Sequence, residues 1–192
     1  WITLAVLAGG YWWMNDRPVS PPPGVLVPED PAQTAPESPD SWRFRKHRIT
    51  PLAQFDIRAR ILSRERYWFD RAAELSPLDL ALGWGPMSDT QVLQHITIRQ
   101  SGRWYYWSSS SLPISAGEIV SHSANMHMIP ASDAVARRLL AARVGQIVHL
   151  EGDLVRADGP DQWHWISSLS RTDTGDGSCE VVWVTHAEVS DR

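Results

Sequence analysis

The chain contains a single cysteine, Cys179, among its 192 residues. One cysteine excludes an intramolecular disulfide scaffold and a zinc site built from several thiolates. Basic residues are not in excess either, because the formal net charge is −4 and the isoelectric point is near 6.0. That balance excludes a globally basic nucleic-acid-binding protein. Lysine is nearly absent, since Lys46 is the only one, and arginine carries almost all of the positive charge.

Tryptophan and other apolar residues, by contrast, are plentiful. The sequence has 11 tryptophans, and 43% of its residues are hydrophobic against 21% charged. A chain of this length holds one domain of ordinary size plus an appendage. We therefore expect a tryptophan-rich globular domain joined to a smaller, separate segment.

Residues 1–13 are apolar and uncharged. A helix that crosses a bilayer needs about 20 such residues, so we expect residues 1–16 to be a transmembrane anchor truncated at its amino end. Tyr11, Trp12 and Trp13 suit the aromatic belt of a membrane surface. The alternatives are a cleaved signal peptide and a buried core segment. The expected partner of residues 1–13 is therefore a lipid bilayer, which the chain would cross once.

Residues 17–41 contain eight of the 14 prolines. Proline fixes φ and removes a backbone donor, which disfavours helix and sheet. Few large apolar residues are present to offset the entropy of ordering this stretch. We therefore expect a proline-rich linker that extends roughly 75 Å at most as polyproline II. The alternative, a ligand for a proline-recognition domain, depends on Pro21-Pro22-Pro23 alone.

Residues 42–192 carry the patterns of a mostly β domain. Apolar and charged side chains alternate over 55–61, as in a strand with one wet face. Two hairpins are predicted, one over 95–107 with a turn at Ser101-Gly102 and one over 146–169. A final strand is predicted over 180–185. Its Val181 and Trp183 share one face, as Trp163 and Trp165 do in the second hairpin.

Helices are predicted at three places within this domain. Ser76 to Leu82 reads as a short helix, and Asp89 to Gln94 as another turn of helix. The main helix is expected over 134–143, capped by Ser132 or Asp133. The expected fold class is α+β, mostly β: a small curved sheet or partly open barrel, OB-like or SH3-like, with one main helix, preceded by an N-terminal hydrophobic helix.

Four polar residues are candidates for catalysis: His127, Asn125, Asp173 and Cys179. Cys179 would be a nucleophile only if a nearby base such as His127 acted on a thiol of lowered pKa. The structural alternative is a polar loop that satisfies backbone groups, with Cys179 as a small core residue. Asp173-Thr174-Gly175 has the letters of an aspartic-protease motif, but a single copy cannot supply the required carboxylate pair.

A metal site is only weakly indicated. His122 and His127 are candidate ligands, with Asp173 or Asp153 as a third donor. A spacing of five suits neither a helix nor one face of a strand, so such a site would need an irregular loop. We expect no metal and no cofactor.

The cluster Trp104, Tyr105, Tyr106 and Trp107 is a candidate ligand-binding platform, because aromatic rings stack on sugars and bases. In a hairpin, alternate members point to opposite faces. Two of the four are therefore expected in the core and two on the surface.

Three stretches, Leu78 to Gly85 (LDLALGWG), Ser123 to Pro130 (SANMHMIP) and Trp165 to Gly175 (WISSLSRTDTG), carry a family resemblance. Through them, residues 50–185 resemble an uncharacterised family of bacterial membrane-anchored, single-span proteins with no assigned activity. The resemblance implies a bacterial envelope protein, single-pass in the inner membrane with its globular domain in the periplasm, and assigns no role to any residue.

These observations favour a membrane-tethered envelope domain that acts as a non-enzymatic binding or scaffold module. Its expected partner is another envelope protein and not nucleic acid. The alternative is a hydrolase or metal-dependent enzyme that uses His127 with Asn125, Asp173 or Cys179. Proximity separates the two hypotheses, because an enzyme needs His127, Asp173 and Cys179 in one cleft within hydrogen-bond reach.

Overall fold

The computed structural model describes residues 17–191. Within that range a short 3₁₀ turn covers Gly85–Ser88. The strands and helices in chain order are β1 (Ala32–Thr34), β2 (Trp42–Phe44), β3 (His47–Arg66), β4 (Leu78–Gly83), α1 (Thr90–Leu93), β5 (Thr97–Ser101), β6 (Trp104–Ser108), α2 (Ala116–Ser121), β7 (Ser123–Pro130), α3 (Asp133–Ala141), β8 (Ile147–Asp158), β9 (His164–Ile166) and β10 (Glu180–Ser190).

Five of the strands pair in a ring. The long strand β3 pairs with β4 through its last residues and with β8 through the rest of its length. β4 pairs antiparallel with β7, β7 pairs parallel with β10, and β10 pairs antiparallel with β8. The sheet is therefore partly ring-like, and the fold is mostly β with few helices, as the sequence predicts.

Irregular pairing lets these strands bend into a ring. The register of β3 shifts between Pro51 and Ala53 and again between Ile61 and Ser63. A further shift on β10, between Val184 and His186, lies opposite Gly152. A Cβ on Gly152 would stand 1.9 Å from the carbonyl oxygen of Trp183, so only glycine permits this approach. Gly152 thus lies opposite a bulge in its neighbour strand, where the paired strands bend.

The main core lies inside the ring, where the inward residues of the five strands meet. Helix α3 closes one end by burying Val135 and Leu139. Ser132 caps this helix by accepting a hydrogen bond from the backbone of Val135, which confirms the predicted helix and cap. A second cluster lies outside the ring, where Trp163 and Trp165 cover Ile129 and Val181.

Both predicted hairpins and the final strand are present. β5 and β6 form the first hairpin around Gly102 and Arg103, which both have positive φ. β8 and β9 form the second, and β10 supplies the final strand. The short helix expected after Asp89 is α1, and Asp89 caps it.

The helix predicted from Ser76 to Leu82 is wrong, because Leu78–Gly83 is the strand β4. All six residues of β4 are buried. A strand covered on both faces shows no alternation of apolar and polar residues, so its pattern cannot be told from that of a short buried helix.

The proline-rich stretch packs along the ring, which corrects the expectation of a free linker over residues 17–41. Val27 is buried in the main core, and Ala32–Thr34 forms β1 against β3. The backbone of Val19 donates a hydrogen bond to Val144 O, and Ser88 Oγ accepts from the backbone of Val27. Backbone donors between the prolines, together with one buried valine, are enough to dock the stretch.

The expected transmembrane anchor, residues 1–16, lies outside the described residues, as does the N-terminal helix of the expected fold class. From residue 17 to residue 191, no helix has the length and apolarity that crossing a membrane requires.

Candidate functional site

A buried carboxylate lies on the outer face of the ring. Leu80 and Leu82 of β4 point into the main core, so Asp79 points outward. It is fully buried there, because the β5–β6 hairpin and the segment before β4 cover that face. The register of β4 and β7 places His127 directly beside it.

His127 and Asp79 touch without forming a hydrogen bond. Their Nδ1 and Oδ1 atoms are 2.9 Å apart, but the approach lies outside hydrogen-bond geometry. The imidazole instead rests against the ring of Trp165, with centroids 4.2 Å apart. The imidazole therefore lies between a carboxylate on one side and an aromatic ring on the other.

Arg103 holds Asp79 more firmly. It sits at the tip of the β5–β6 hairpin with a φ of 73°, in the two-residue turn that such hairpins favour. Its Nη1 donates to Asp79 Oδ1 at 2.7 Å, and its Nε and Nη2 form a bidentate pair with Asp70 at 3.0 and 2.9 Å. The guanidinium also lies over the ring of Tyr67, 3.6 Å from its centroid. Arg103 thus joins two carboxylates, one buried and one half-exposed, to the hairpin.

Asn125 is also engaged in structural hydrogen bonds. Its Nδ2 donates to Arg103 O at 3.0 Å and to Cys179 Sγ at 3.7 Å. Its Oδ1 accepts from Gln100 Nε2 at 2.6 Å. The side chain therefore fixes the hairpin to β7 and to the start of β10.

Above this charged group lies an open cleft of about 610 Å³. Its walls come from the segment between β3 and β4, the β5–β6 turn, β7, and the long connection from β8 to β10. Aromatic rings dominate these walls, and the polar side chains at the base include His127 and Cys179. The aromatic lining residues are Trp104, Trp163 and Trp165.

Exposed apolar side chains lie in the cleft wall and next to it in the sequence. Phe69 is 98% exposed and Trp68 is 65% exposed, and both directly precede the lining residue Asp70. Trp104 and Ile166, which line the cleft, are 38% and 43% exposed. We call Trp68, Phe69, Trp104 and Ile166 the aromatic rim, because three of the four side chains are aromatic. Large exposed apolar groups close together are typical of a binding surface.

A smaller pocket of about 230 Å³ adjoins the cleft at Trp104 and Cys179. Glu180 lies in it, almost wholly buried, with Oε1 2.8 Å from Arg171 Nη1. Burial raises the pKa of Glu180 to about 8, although Arg171 acts in the opposite direction. Burial therefore favours the protonated carboxyl, whereas the guanidinium of Arg171 favours the carboxylate.

Cys179 lies between the two cavities, and its chemistry is set by burial. Desolvation raises the pKa of its thiol to about 11, and the negative charges of Glu180, Asp79 and Asp173 add to the effect. A thiol with that pKa carries almost no thiolate at neutral pH, so it is a poor nucleophile.

The four catalytic candidates lie in one region but do not form a catalytic chain. His127 and Cys179 line the same cleft, while Asp173 lines the smaller pocket with Asn125. Among the hydrogen bonds of the described residues, Asp173 accepts from Ser168 Oγ at 2.7 Å, within its own loop. None of these bonds joins His127 to Asp173 or Cys179. His127 and Cys179 therefore share a cleft without the hydrogen bonds that the enzyme hypothesis requires.

The two metal candidates have different surroundings. His122 ends helix α2, where its Nδ1 lies 2.9 Å from Glu118 O and 3.0 Å from Ser121 Oγ. His127 is on β7, a regular strand and not the irregular loop that a shared site would need. Within residues 17–191, the donor atoms of three His and carboxylate side chains do come together in one group. That group contains neither His122 nor His127.

The aromatic cluster divides as predicted. Trp104 and Tyr106 are exposed, whereas Tyr105 and Trp107 pack against a cluster around Met87 and Ile119. Tyr105 Oη also lies 3.0 Å from Ser123 Oγ. Of the four candidate ligand-binding residues, Trp104 is the one placed both on the surface and in the cleft wall.

The sequence reasoning missed Asp79, Arg103 and the rim residues Trp68 and Phe69. A signal existed for the first, because a lone carboxylate in the apolar run LDLALG needs a buried partner. The partner is 24 residues away, on another hairpin, and no local pattern indicates it.

No protein-family model matches the chain, and searches of curated proteins and of solved structures find no significant match. The resemblance to a membrane-anchored bacterial family therefore stays a prediction.

Proposed function

We propose that the domain is an OB-like barrel that serves as a non-enzymatic binding module, with the tryptophan-lined cleft as its binding site. The five ring strands, in chain order, are β3, β4, β7, β8 and β10, and the long first strand pairs with both the second and the fourth. Helix α3 lies between the third and the fourth. A five-stranded barrel with a bent first strand is the arrangement of OB folds.

The position of the cleft is the observation that supports binding. OB folds bind ligands on the face of their second and third strands, between the loop joining the first two strands and the loop joining the last two. Here Asp70 and Arg71 come from the first loop, His127 from the third strand, and Trp163 and Trp165 from the last loop. The cleft thus occupies the position expected of a binding site in such a barrel.

The chemistry of the cleft favours binding over catalysis. The guanidinium of Arg103 is committed to Asp70 and Asp79, and the Cys179 thiol has a raised pKa. His127 packs between Asp79 and Trp165. The hydrolase hypothesis needs a free base beside an activated nucleophile, and these contacts do not provide that pair.

The aromatic rim favours a protein as the partner. Tryptophan, other aromatic residues and arginine dominate the energetics of protein interfaces. Single-stranded nucleic acid would need free cations along the cleft. Arg103 is neutralised by two carboxylates, and Arg71 lies 3.6 Å from Asp161. We infer that another envelope protein inserts apolar side chains between the rim residues.

A membrane tether completes the proposal. The apolar residues 1–13 anchor the chain at the bacterial inner membrane, and the domain faces the periplasm. Fractionation of cells that produce the full chain tests this part. Recovery of the chain in the membrane pellet after alkaline extraction is expected, and recovery in the soluble fraction would overturn it.

Site-specific photo-crosslinking tests the binding site. A photoreactive residue at Phe69 or Ile166 of the full chain is expected to give one discrete protein adduct in the producing cells. Controls at Val25 and Leu112, which match Ile166 in exposure but do not line the cleft, are expected to give none. Equal adducts at all four positions, or adducts to nucleic acid alone, would contradict a protein partner at the rim.

A further inference from the structure

A group of histidine and carboxylate side chains lies on the outer face of the ring, away from the cleft. Asp56 of β3 is the direct register partner of Glu151 on β8. His149 lies two residues before Glu151 and therefore projects from the same face. One donor atom from each of these three residues falls within 4.8 Å of the other two.

We propose that Asp56, His149 and Glu151 bind a divalent transition-metal ion of the zinc type. His149 Nε2 is 3.1 Å from Asp56 Oδ1 and 3.8 Å from Glu151 Oε1. Two ligand atoms bound at zinc distances in a tetrahedron are about 3.3 Å apart. The two separations measured from His149 are therefore close to the spacing that one ion requires.

Electrostatics around the three residues favour a cation. Two carboxylates directly opposite each other on paired strands destabilise a sheet unless a positive charge lies between them. Glu188 of β10 adds a third carboxylate, opposite His149. The guanidinium of Arg58, which is also opposite His149 but on β3, offsets one of the three.

The identity of the donors selects the kind of metal. Calcium and magnesium prefer oxygen ligands alone, whereas imidazole together with carboxylate suits zinc and its neighbours. A fourth donor is close, because the ring of His186 lies 6.2 Å from that of His149. His186 Nε2 is now 3.3 Å from Glu188 Oε1. Rotation away from that partner would bring the imidazole to the ion.

The site lies on rigid backbone. The register of β3 with β8 is continuous from Ala53 to Arg60, and that of β8 with β10 is continuous from His186 to Ser190. The three strands therefore fix the Cα positions of the donors, and only exposed side-chain rotamers need to adjust. A preorganised scaffold of this kind lowers the cost of binding.

Zinc titration of the chelator-treated, tag-free full chain by calorimetry tests the proposal. We expect one saturable zinc site per chain, and a Co²⁺ complex with the visible absorption bands of tetrahedral cobalt. Asp56→Asn, His149→Gln and Glu151→Gln are each expected to weaken zinc binding at least tenfold, and His186→Gln to weaken it less.

His95→Gln is the matched control, because His95 is exposed but distant in the sequence from the three ligands. It should bind zinc as the parent does. Thermal unfolding in chelator keeps the reading clear, since each variant should still unfold in one cooperative transition when no metal is present. Absence of saturable zinc binding, an equal loss in His95→Gln, or binding of calcium in preference to zinc would each overturn the proposal.

Discussion

The base of the cleft and its aromatic rim differ in how their side chains are satisfied. At the base, Asp79 is fully buried and each charge has a partner, with Arg103 bridging Asp79 and Asp70. At the rim, Trp68 and Phe69 expose most of their apolar surface. Buried paired charges are costly to disturb, whereas exposed apolar groups contribute little to folding. The difference separates residues that maintain the domain from residues that are free to bind.

The largest effect on stability is expected when the bridge that Arg103 forms between Asp79 and Asp70 is removed. Arg103→Met keeps the bulk of the side chain but leaves Asp79 buried without its guanidinium. Such a loss typically costs 3–5 kcal/mol, and we expect about that reduction in the free energy of unfolding, measured in urea. Asp70→Asn, at the half-exposed end of the same bridge, should cost about 1 kcal/mol or less. Equal losses in the two variants would show that burial does not distinguish them.

The reactivity of the Cys179 thiol tests whether burial governs the chemistry at the base of the cleft. Its thiol pKa of about 11 lies well above that of a free thiol, near 8.5. At pH 8 we expect alkylation by iodoacetamide to be on the order of 100-fold slower in the native chain than in urea, because the thiolate fraction is that much smaller. A native rate as fast as in urea would restore Cys179 as a candidate nucleophile.

The raised pKa of Glu180 predicts that the free energy of unfolding depends on pH. Burial raises its folded-state pKa to about 8, while the unfolded value is near 4.5. Between these values the folded state binds the additional proton, so stability falls as pH rises. The slope is at most about 1.4 kcal/mol for each pH unit. Glu180→Gln, which mimics the protonated form, should flatten the dependence between pH 5 and pH 8 in urea titrations. A parent whose stability rises with pH over that range would contradict the assignment.

The smallest effect on folding is expected at the rim. Phe69→Ala and Trp104→Ala should change the free energy of unfolding by less than about 0.5 kcal/mol, as exposed substitutions usually do. The same changes should abolish the adduct formed from Ile166 in the crosslinking experiment. Met87→Ala, in the buried cluster under the same hairpin, should instead cost about 2–5 kcal/mol. A destabilised Phe69→Ala variant would move that residue from the rim to the core.

Sequence patterns predicted the elements whose signals are local. The β5–β6 hairpin follows from Gly102 between two alternating runs, and α3 follows from its cap at Ser132. The strand β4 was misread because burial on both faces removes the alternation. The docked prolines were misread because composition does not show that Val27 enters the core.

The site was harder to predict than the fold. His127 and Cys179 were singled out as reactive residue types, and the fold brings both to one cleft. What holds them there depends on contacts between distant residues, such as Arg103 with Asp79 and Asp70 with Arg103. Those contacts depend on the register of paired strands and on one hairpin turn. Neither can be recognised in a single sequence as a fixed spacing between residues.

The hydrogen bond between Val19 and Val144 limits how far the domain can lie from the proposed anchor. Val19 follows Trp13 by only six positions, a stretch that spans about 20 Å when fully extended. A freely extended stretch would have let the domain search several times that distance from the lipid headgroups. With residues 1–13 in the bilayer, the domain would instead stay close to the membrane surface. A partner would then have to reside in the same membrane or approach it closely to enter the cleft.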